Sequence, residues 1–245
     1  MPRFFVEPSQ IKNDSIFIHG EDVKHISKVL RLKNGDKISI CNGQGTDYQC
    51  IIKNMDKEII VAQIVSNHLS QTEPKTKITL FQALVKSDKM DLIIQKTVEM
   101  GIFKIIPIVT ERTVVRFENE KKERSRLARW QKIAESAAKQ SQRGIIPEVE
   151  PVITLSEAFD RSKEMDCKLI PYEKETDKNL RSILSNFNGG NIAIFIGPEG
   201  GFEESEIALG KQQGIIPITL GRRILRTETA GLFTVSIIMY QMGEM

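Results

Sequence analysis

Cysteine, histidine and tryptophan are scarce in this chain of 245 residues, which holds three, three and one of them. Cys41, Cys50 and Cys167 are odd in number and form no C-x-x-C pair, which excludes a disulfide framework and a zinc site and leaves them as reduced, buried small residues. His19, His25 and His68 are scattered, so no metal is expected. Long apolar runs are missing too. No stretch reaches the roughly 18 apolar residues of a membrane span, and Met1-Pro2-Arg3-Phe4-Phe5 lacks a signal peptide's apolar core. A cytoplasmic location without a membrane partner is therefore expected. The net charge of only +3 permits a nucleic-acid partner without requiring one. Two glycine motifs are also absent: without Gly-Lys-Ser/Thr there is no phosphate-cradling P-loop, and without G-x-G-x-x-G no dinucleotide fingerprint.

The length suits two modest domains, and 40% hydrophobic with 27% charged residues is ordinary for a globular protein. Residues 1–70 read as a small β-rich barrel. Phe4 to Val6, Ile16 to Ile18, Lys37 to Cys41, Asp47 to Met55 and Ile59 to Val65 are strand candidates, with Asn34-Gly35 and Gly43-Gln44-Gly45 as turns. Glu21 to Arg31 reads as one helix with Val23, Ile26, Val29 and Leu30 on its apolar side. A polar, proline-containing stretch between Ser66 and Lys77 marks the boundary. Over 75–245 strands and helices alternate: strand Ile78 to Leu84, helix Asp88 to Met100, strand Phe103 to Val109, a long helix from about Lys121 to Gln142, strand Lys168 to Ile170 and a short helix near Leu180. That alternation predicts a parallel α/β sheet.

The long helical stretch, taken to Arg143, carries eight basic residues against two acidic ones, with Leu127, Trp130, Ala134, Ala137 and Ala138 at helical spacing. One face packs and the other presents charge, either as a solvated surface or as a phosphate-binding ridge.

The chain is organised around Gly197-Pro198-Glu199-Gly200-Gly201 and its echo, Leu220-Gly221-Arg222-Arg223-Ile224-Leu225-Arg226-Thr227-Glu228-Thr229-Ala230. The first follows the strand Asn191 to Ile196 and precedes an acidic helix start at Glu203, Glu204 and Glu206. The second follows the strand Ile215 to Leu220, with Thr227 as N-cap of a helix from Glu228 to about Tyr240. Glycines at the carboxyl ends of parallel strands let backbone approach a ligand closely. Pro198 removes one N–H that a phosphate nest would use, and the carboxylates repel phosphate, so a neutral or cationic ligand is predicted.

These two motifs, taken together, resemble those of the 16S ribosomal RNA uridine-N3 methyltransferases of the SPOUT superfamily. The resemblance implies a C-terminal trefoil-knotted parallel sheet that binds S-adenosylmethionine, preceded by a PUA-like or OB-like barrel that holds RNA. It places the cofactor against Pro171, Tyr172, Glu173, Ile196, Gly197, Pro198, Glu199, Gly200, Gly201, Leu220, Gly221, Ile224, Leu225 and Arg226. Apolar cover would come from Ile196, Leu220, Ile224 and Leu225, and backbone at Gly197, Gly201, Gly221 and Leu225 would meet the adenine edge. Tyr172 is equally a half-buried packing residue.

The resemblance further implies RNA contacts at Arg3, His25, Arg31, Lys86, Gln140 and Arg143, a homodimer, and the 16S RNA or the 30S subunit as partner. It makes Arg226 the group that stabilises a uracil anion and Glu228, or water held by it, the proton acceptor. Other expectations compatible with the motifs are a methyltransferase acting elsewhere in RNA, on a ribose 2'-hydroxyl or a transfer RNA, and an RNA-binding protein without catalysis.

Overall fold

A computed structural model describes residues 1–117, 119–185 and 187–245. They form two compact units: Met1–Glu73 with Ala138–Ile146, and Pro74–Ala137 with Pro147–Met245. The first unit runs to Glu73 and also takes in 138–146, a segment expected within 75–245. Glu73 explains this. Its carboxylate accepts from the backbone N–H of Gly144 (2.8 Å) and Ile145 (3.1 Å) and from the Arg143 guanidinium (2.6 Å), so one acidic side chain fastens the returning segment. Gly144 is required there, because a Cβ would meet Ser70 at 2.1 Å.

In the first unit, β1 (Arg3–Phe5), β2 (Ile11–Lys12), β3 (Ser15–His19), β4 (Lys37–Cys41), β5 (Thr46–Met55) and β6 (Ile59–Leu69) make one sheet in the order β1-β4-β5-β6-β3-β2. β1 joins β4 in parallel and the other pairs are antiparallel. Alternate residues such as Ile16, Ile18, Ile60 and Ala62 turn inward and close a core with Phe4, Val23 and Ile26. The predicted single helix departs from expectation. α1 covers only Glu21–Lys24, and His25–Val29 continues as a wider turn in which Leu30 N–H reaches His25 C=O. The added residue per turn rotates Val29 and Leu30 off the apolar face, leaving them 69% and 37% exposed.

The second unit holds β7 (Lys77–Ala83), α2 (Ser87–Glu99), β8 (Lys104–Val109), α3 (Glu120–Gln140), β9 (Glu148–Val149), β10 (Ile153–Thr154), α4 (Leu155–Arg161), β11 (Cys167–Pro171), α5 (Leu180–Leu184), β12 (Asn191–Ile196), α6 (Glu204–Gln212), β13 (Ile216–Ile218) and α7 (Thr227–Gln241); the last three residues of α3 are counted with the first unit. All its strand pairs are parallel, in the order β10-β8-β7-β12-β11-β13, with β9 also against β8. β7 and β12 are buried over almost their whole length, which is why they read as continuous apolar runs rather than alternating ones. Phe81 and Phe195 stack at 4.6 Å in the core between them. α7 packs against α2, β7 and β12, although its strand of origin, β13, lies at the sheet edge. The chain between them therefore returns across the carboxyl ends of neighbouring strands.

α4 was not anticipated. Its signal is a capping box, in which Thr154 Oγ1 accepts from Glu157 N–H (3.2 Å) while the Glu157 carboxylate accepts from Thr154 N–H (2.8 Å). The three cysteines are buried, and burial pushes the Cys50 and Cys167 thiols up to about 11.

Candidate active site

The carboxyl ends of β11, β12 and β13 open into one cavity of about 990 Å³ in the second unit. Residues 171–173, 196–201, 220–221 and 224–226 all line it, so the two glycine stretches and the end of β11 come together as three walls. Parallel pairing causes this, since β11 lies between β12 and β13 and all three strands point their ends the same way. Such a strand-end crevice is the ligand position of open α/β sheets.

The glycine loop is held from three sides. Thr227 Oγ1 donates to the Gly197 carbonyl (2.6 Å) and accepts from Gln82 Nε2 (3.1 Å), and the Gln82 amide also donates to Ala83 C=O. Thr227 is thus not the N-cap predicted for α7; Arg226 is, and Thr227 is the first helical residue, its hydroxyl turned back onto the loop. Arg112, after β8, donates to the Gly200 carbonyl (2.7 Å) and to Glu203 (2.7 Å), which raises the guanidinium's pKa further above its ordinary value. Lys89 on α2 reaches Glu199 at 2.9 Å. Gly201 adopts φ +69°, and a Cβ there would stand 3.3 Å from the Glu173 carboxylate, so glycine satisfies both the turn and the close approach.

Some of the backbone edge predicted for an adenine is already committed. Gly201 N–H closes a turn onto Pro198 C=O (3.0 Å), Gly221 N–H bonds Thr219 Oγ1 (3.2 Å), and the Gly197 carbonyl takes Thr227. Among the described residues the Leu225 N–H has no protein partner, which leaves it for a ligand. The apolar cover is likewise divided: Ile196 is buried within the wall, whereas Ile224 is 81% exposed at the rim.

Arg226 lines the cavity, is exposed, and forms no ion pair among the described residues. Glu228, in the first turn of α7, stands behind the lining. Its Oε2 is buried without a hydrogen-bond partner and lies 3.5 Å from Lys89 Nζ. The two are not paired with each other. Lys89 lines the cavity and was not among the predicted site residues; its spacing on α2 could have marked it, since it stands one residue before the buried Met90 and three after Lys86.

None of the residues assigned to RNA is among those that line this cavity. His25 and Arg31 are exposed in the first unit, where Arg31 adopts φ +54° just after the widened turn. Lys86 precedes α2 and is exposed, and so is Gln140 at the end of α3. Arg143 is a correction: it is only 3% exposed and its guanidinium is bound by Glu73, so it fastens the returning segment instead of facing a partner. Arg3 is likewise largely enclosed and bonds Asp47 at 2.7 Å. Among the described residues no group of three or more His, Cys, Asp or Glu could hold a metal ion, and no helix is long and apolar enough to cross a membrane.

Comparison with known proteins gives these features a family. An RNA methyltransferase domain matches residues 72–239, and an RNA methyltransferase PUA domain matches residues 18–65. The chain is 34% identical to the ribosomal RNA small subunit methyltransferase E of Bacillus subtilis over 98% of its own length and 97% of the relative's. It is 32% identical to the protein of that name from Buchnera aphidicola, over 100% and 95% of the two chains. In structure it resembles the Neisseria gonorrhoeae ribosomal RNA small subunit methyltransferase E bound to S-adenosyl methionine, with a TM-score of 0.84, 33% identity and 98% and 97% of the chains covered. With a domain match over more than half of its residues and relatives above 30% identity along nearly all of it, the chain belongs to the ribosomal RNA small subunit methyltransferase E family.

Proposed function

We propose that this protein transfers a methyl group from S-adenosylmethionine to N3 of a uridine in the 16S RNA of the small ribosomal subunit. The observation that carries the reading is the single cavity in which both glycine stretches and the end of β11 meet. When bound, the cofactor supplies an electrophilic methyl group. It fits the walls: 990 Å³ is ample for a nucleoside-sized ligand, Ile196, Leu220 and Leu225 offer apolar cover, the Leu225 N–H is available, and Gly201 leaves room beside Glu173. The 197–201 loop offers no phosphate nest, since Pro198 has no N–H and the Gly201 N–H is committed to Pro198 C=O, and a sulfonium cation suits the nearby carboxylates of Glu173 and Glu199.

Uracil N3 carries a proton and is a poor nucleophile until it is lost. Arg226, unpaired at the cavity wall, is the group we assign to the anion that forms, through a neighbouring carbonyl oxygen. Glu228, with its orphaned buried oxygen, accepts the proton directly or through water. Displacement at a methyl carbon asks for little beyond alignment and charge, so positioning accounts for most of the rate.

The exposed His25, Arg31, Lys86 and Gln140 are our proposed RNA contacts, and the first unit is read as the RNA-holding PUA-like module. The crossing from edge strand β13 back to α7 supports a trefoil knot in the C-terminal part. Phe233 and Tyr240, exposed on the apolar α7, support a homodimer built on that helix. A cytoplasmic location is part of the same proposal, since it is where such a substrate would be met.

The test is methyl transfer from labelled S-adenosylmethionine to free 16S RNA and to 30S subunits from cells lacking the protein, with the modified atom mapped by mass spectrometry. Label on uracil N3 is expected. Label on a ribose or in transfer RNA would move the substrate, and tight cofactor binding without label would make the protein an RNA binder.

A further inference from the structure

β7 is buried beyond its first residue, and Gln82, next to its end, interrupts the apolar run while being wholly enclosed. It pairs across the sheet with Ile196, the last residue of β12 and part of the cavity wall. An amide enclosed in an apolar layer costs free energy unless its polar atoms find partners. Here only the nitrogen does. Nε2 donates to Ala83 C=O and to Thr227 Oγ1, both at 3.1 Å. Oε1 has no hydrogen-bond partner among the described residues and lies against α7, where a Cβ on Gly231 would stand 3.4 Å from it. An apolar side chain would avoid that cost, so the amide at this position calls for a reason beyond packing.

The reason lies in the direction of the bonds. Ala83 C=O can only accept, so the amide turns its nitrogen toward it; the reverse orientation would set two carbonyl oxygens against each other. With the nitrogen so placed, Thr227 Oγ1 receives an N–H, and its own single proton goes to the Gly197 carbonyl at 2.6 Å. Each group in the chain from Ala83 through Gln82 and Thr227 to Gly197 therefore has one role as donor or acceptor. Thr227 and Gly197 line the cavity and Gln82 does not, so any effect of the amide on a ligand passes through the threonine.

We propose that Gln82 is a positioning residue for the cofactor: by donating to Thr227 it directs the threonine hydroxyl onto Gly197 and locks the first residue of the glycine loop to the first residue of α7. The proposal rests on the cofactor named in the functional reading above and not on the atom methylated. Without the amide the Thr227 hydroxyl is free to rotate, and the Gly197 carbonyl loses a donor that is held in place. Gly197 opens the loop whose remaining ties come from Arg112 and Lys89 at Gly200 and Glu199, so nothing further along replaces this one.

The experiment is a double-mutant cycle on the full-length protein. S-adenosylmethionine affinity is measured by calorimetry for wild type, Gln82→Met, Thr227→Val and the two together, with KM for 30S subunits alongside. Methionine resembles glutamine in length and carries no donor. Q82M should bind the cofactor roughly 5- to 10-fold more weakly with its 30S KM near wild type, and adding Q82M to T227V should cost nothing further. In a Thr227→Ser background, which keeps the hydroxyl, Q82M should cost as much as in wild type. Losses that multiply in the Q82M/T227V protein overturn the proposal, because Gln82 would then act by a route other than Thr227. So does a Q82M protein with wild-type affinity, or one whose 30S KM rises together with the loss of cofactor binding, the mark of a general disturbance of packing. Gln82→Asn, whose shorter amide cannot span from Ala83 to Thr227, takes the place of Q82M if that variant does not fold, and failure of both to fold also overturns the proposal, since Gln82 would then be a core residue first. A wild type that labels another RNA atom, with the cycle as expected, would sink the target assigned above and still support the role of Gln82.

Discussion

The two loops that face each other across the cavity are built in opposite ways. Residues 197–201 are tied down by Thr227, Arg112 and Lys89, each from a different element, so their hydrogen bonds are made within the protein. Residues 221–226 present Arg222, Arg223 and Arg226, all exposed and none paired among the described residues, around an 81% exposed Ile224. A loop whose hydrogen bonds are already made can hold a cofactor at small entropic cost. A loop of unpaired guanidinium groups keeps its donors for something that comes from outside, and planar bidentate donors suit RNA oxygens.

The sharpest way to break this comparison is Arg226→Ala. Loss of a donor aimed at developing charge costs on the order of 10²–10³-fold in turnover. S-adenosylmethionine affinity, measured by calorimetry, should stay close to wild type. Next comes Thr227→Val, which leaves the Gly197 carbonyl and the Gln82 amide without their partner; an unsatisfied buried group costs about 1–3 kcal/mol, so cofactor affinity should fall roughly 10- to 100-fold, while Thr227→Ser keeps the hydroxyl and most of the affinity. Arg112→Ala removes an exposed tie and should weaken cofactor binding by no more than about 5-fold. Smallest is Arg222→Ala, which should leave cofactor affinity untouched and reduce the salt slope of RNA binding by about one, read by filter binding at several ionic strengths.

Much of the second unit was legible because a strand buried on both faces must be written in β-branched and aromatic residues. Asn191 to Ile196 is an example, and its predicted ends coincide with β12. The helix α2 was equally plain, since Met90, Ile93, Ile94, Thr97 and Val98 fall on one buried face. Less visible were devices that depend on partners far apart in sequence. Nothing near Arg143 announces that Glu73 binds it, so a residue that reads as an RNA contact proves to be a structural clasp. Lys89 acquires meaning only when Glu199 and Glu228 fold around it. The widened turn at His25–Val29 has no composition of its own, and it decides whether Val29 and Leu30 face core or solvent. α4 was the exception, a helix signalled by Thr154 and Glu157 three residues apart.

The division of labour between the loops is tested most directly by titrating S-adenosylmethionine into a variant that carries Arg222→Ala, Arg223→Ala and Arg226→Ala together, and assaying the same preparation for transfer to 30S subunits. Cofactor binding within a few-fold of wild type, with methyl transfer lost, is the predicted result. A cofactor affinity that falls in step with activity would contradict it, because the arginine side chains would then hold the cofactor themselves.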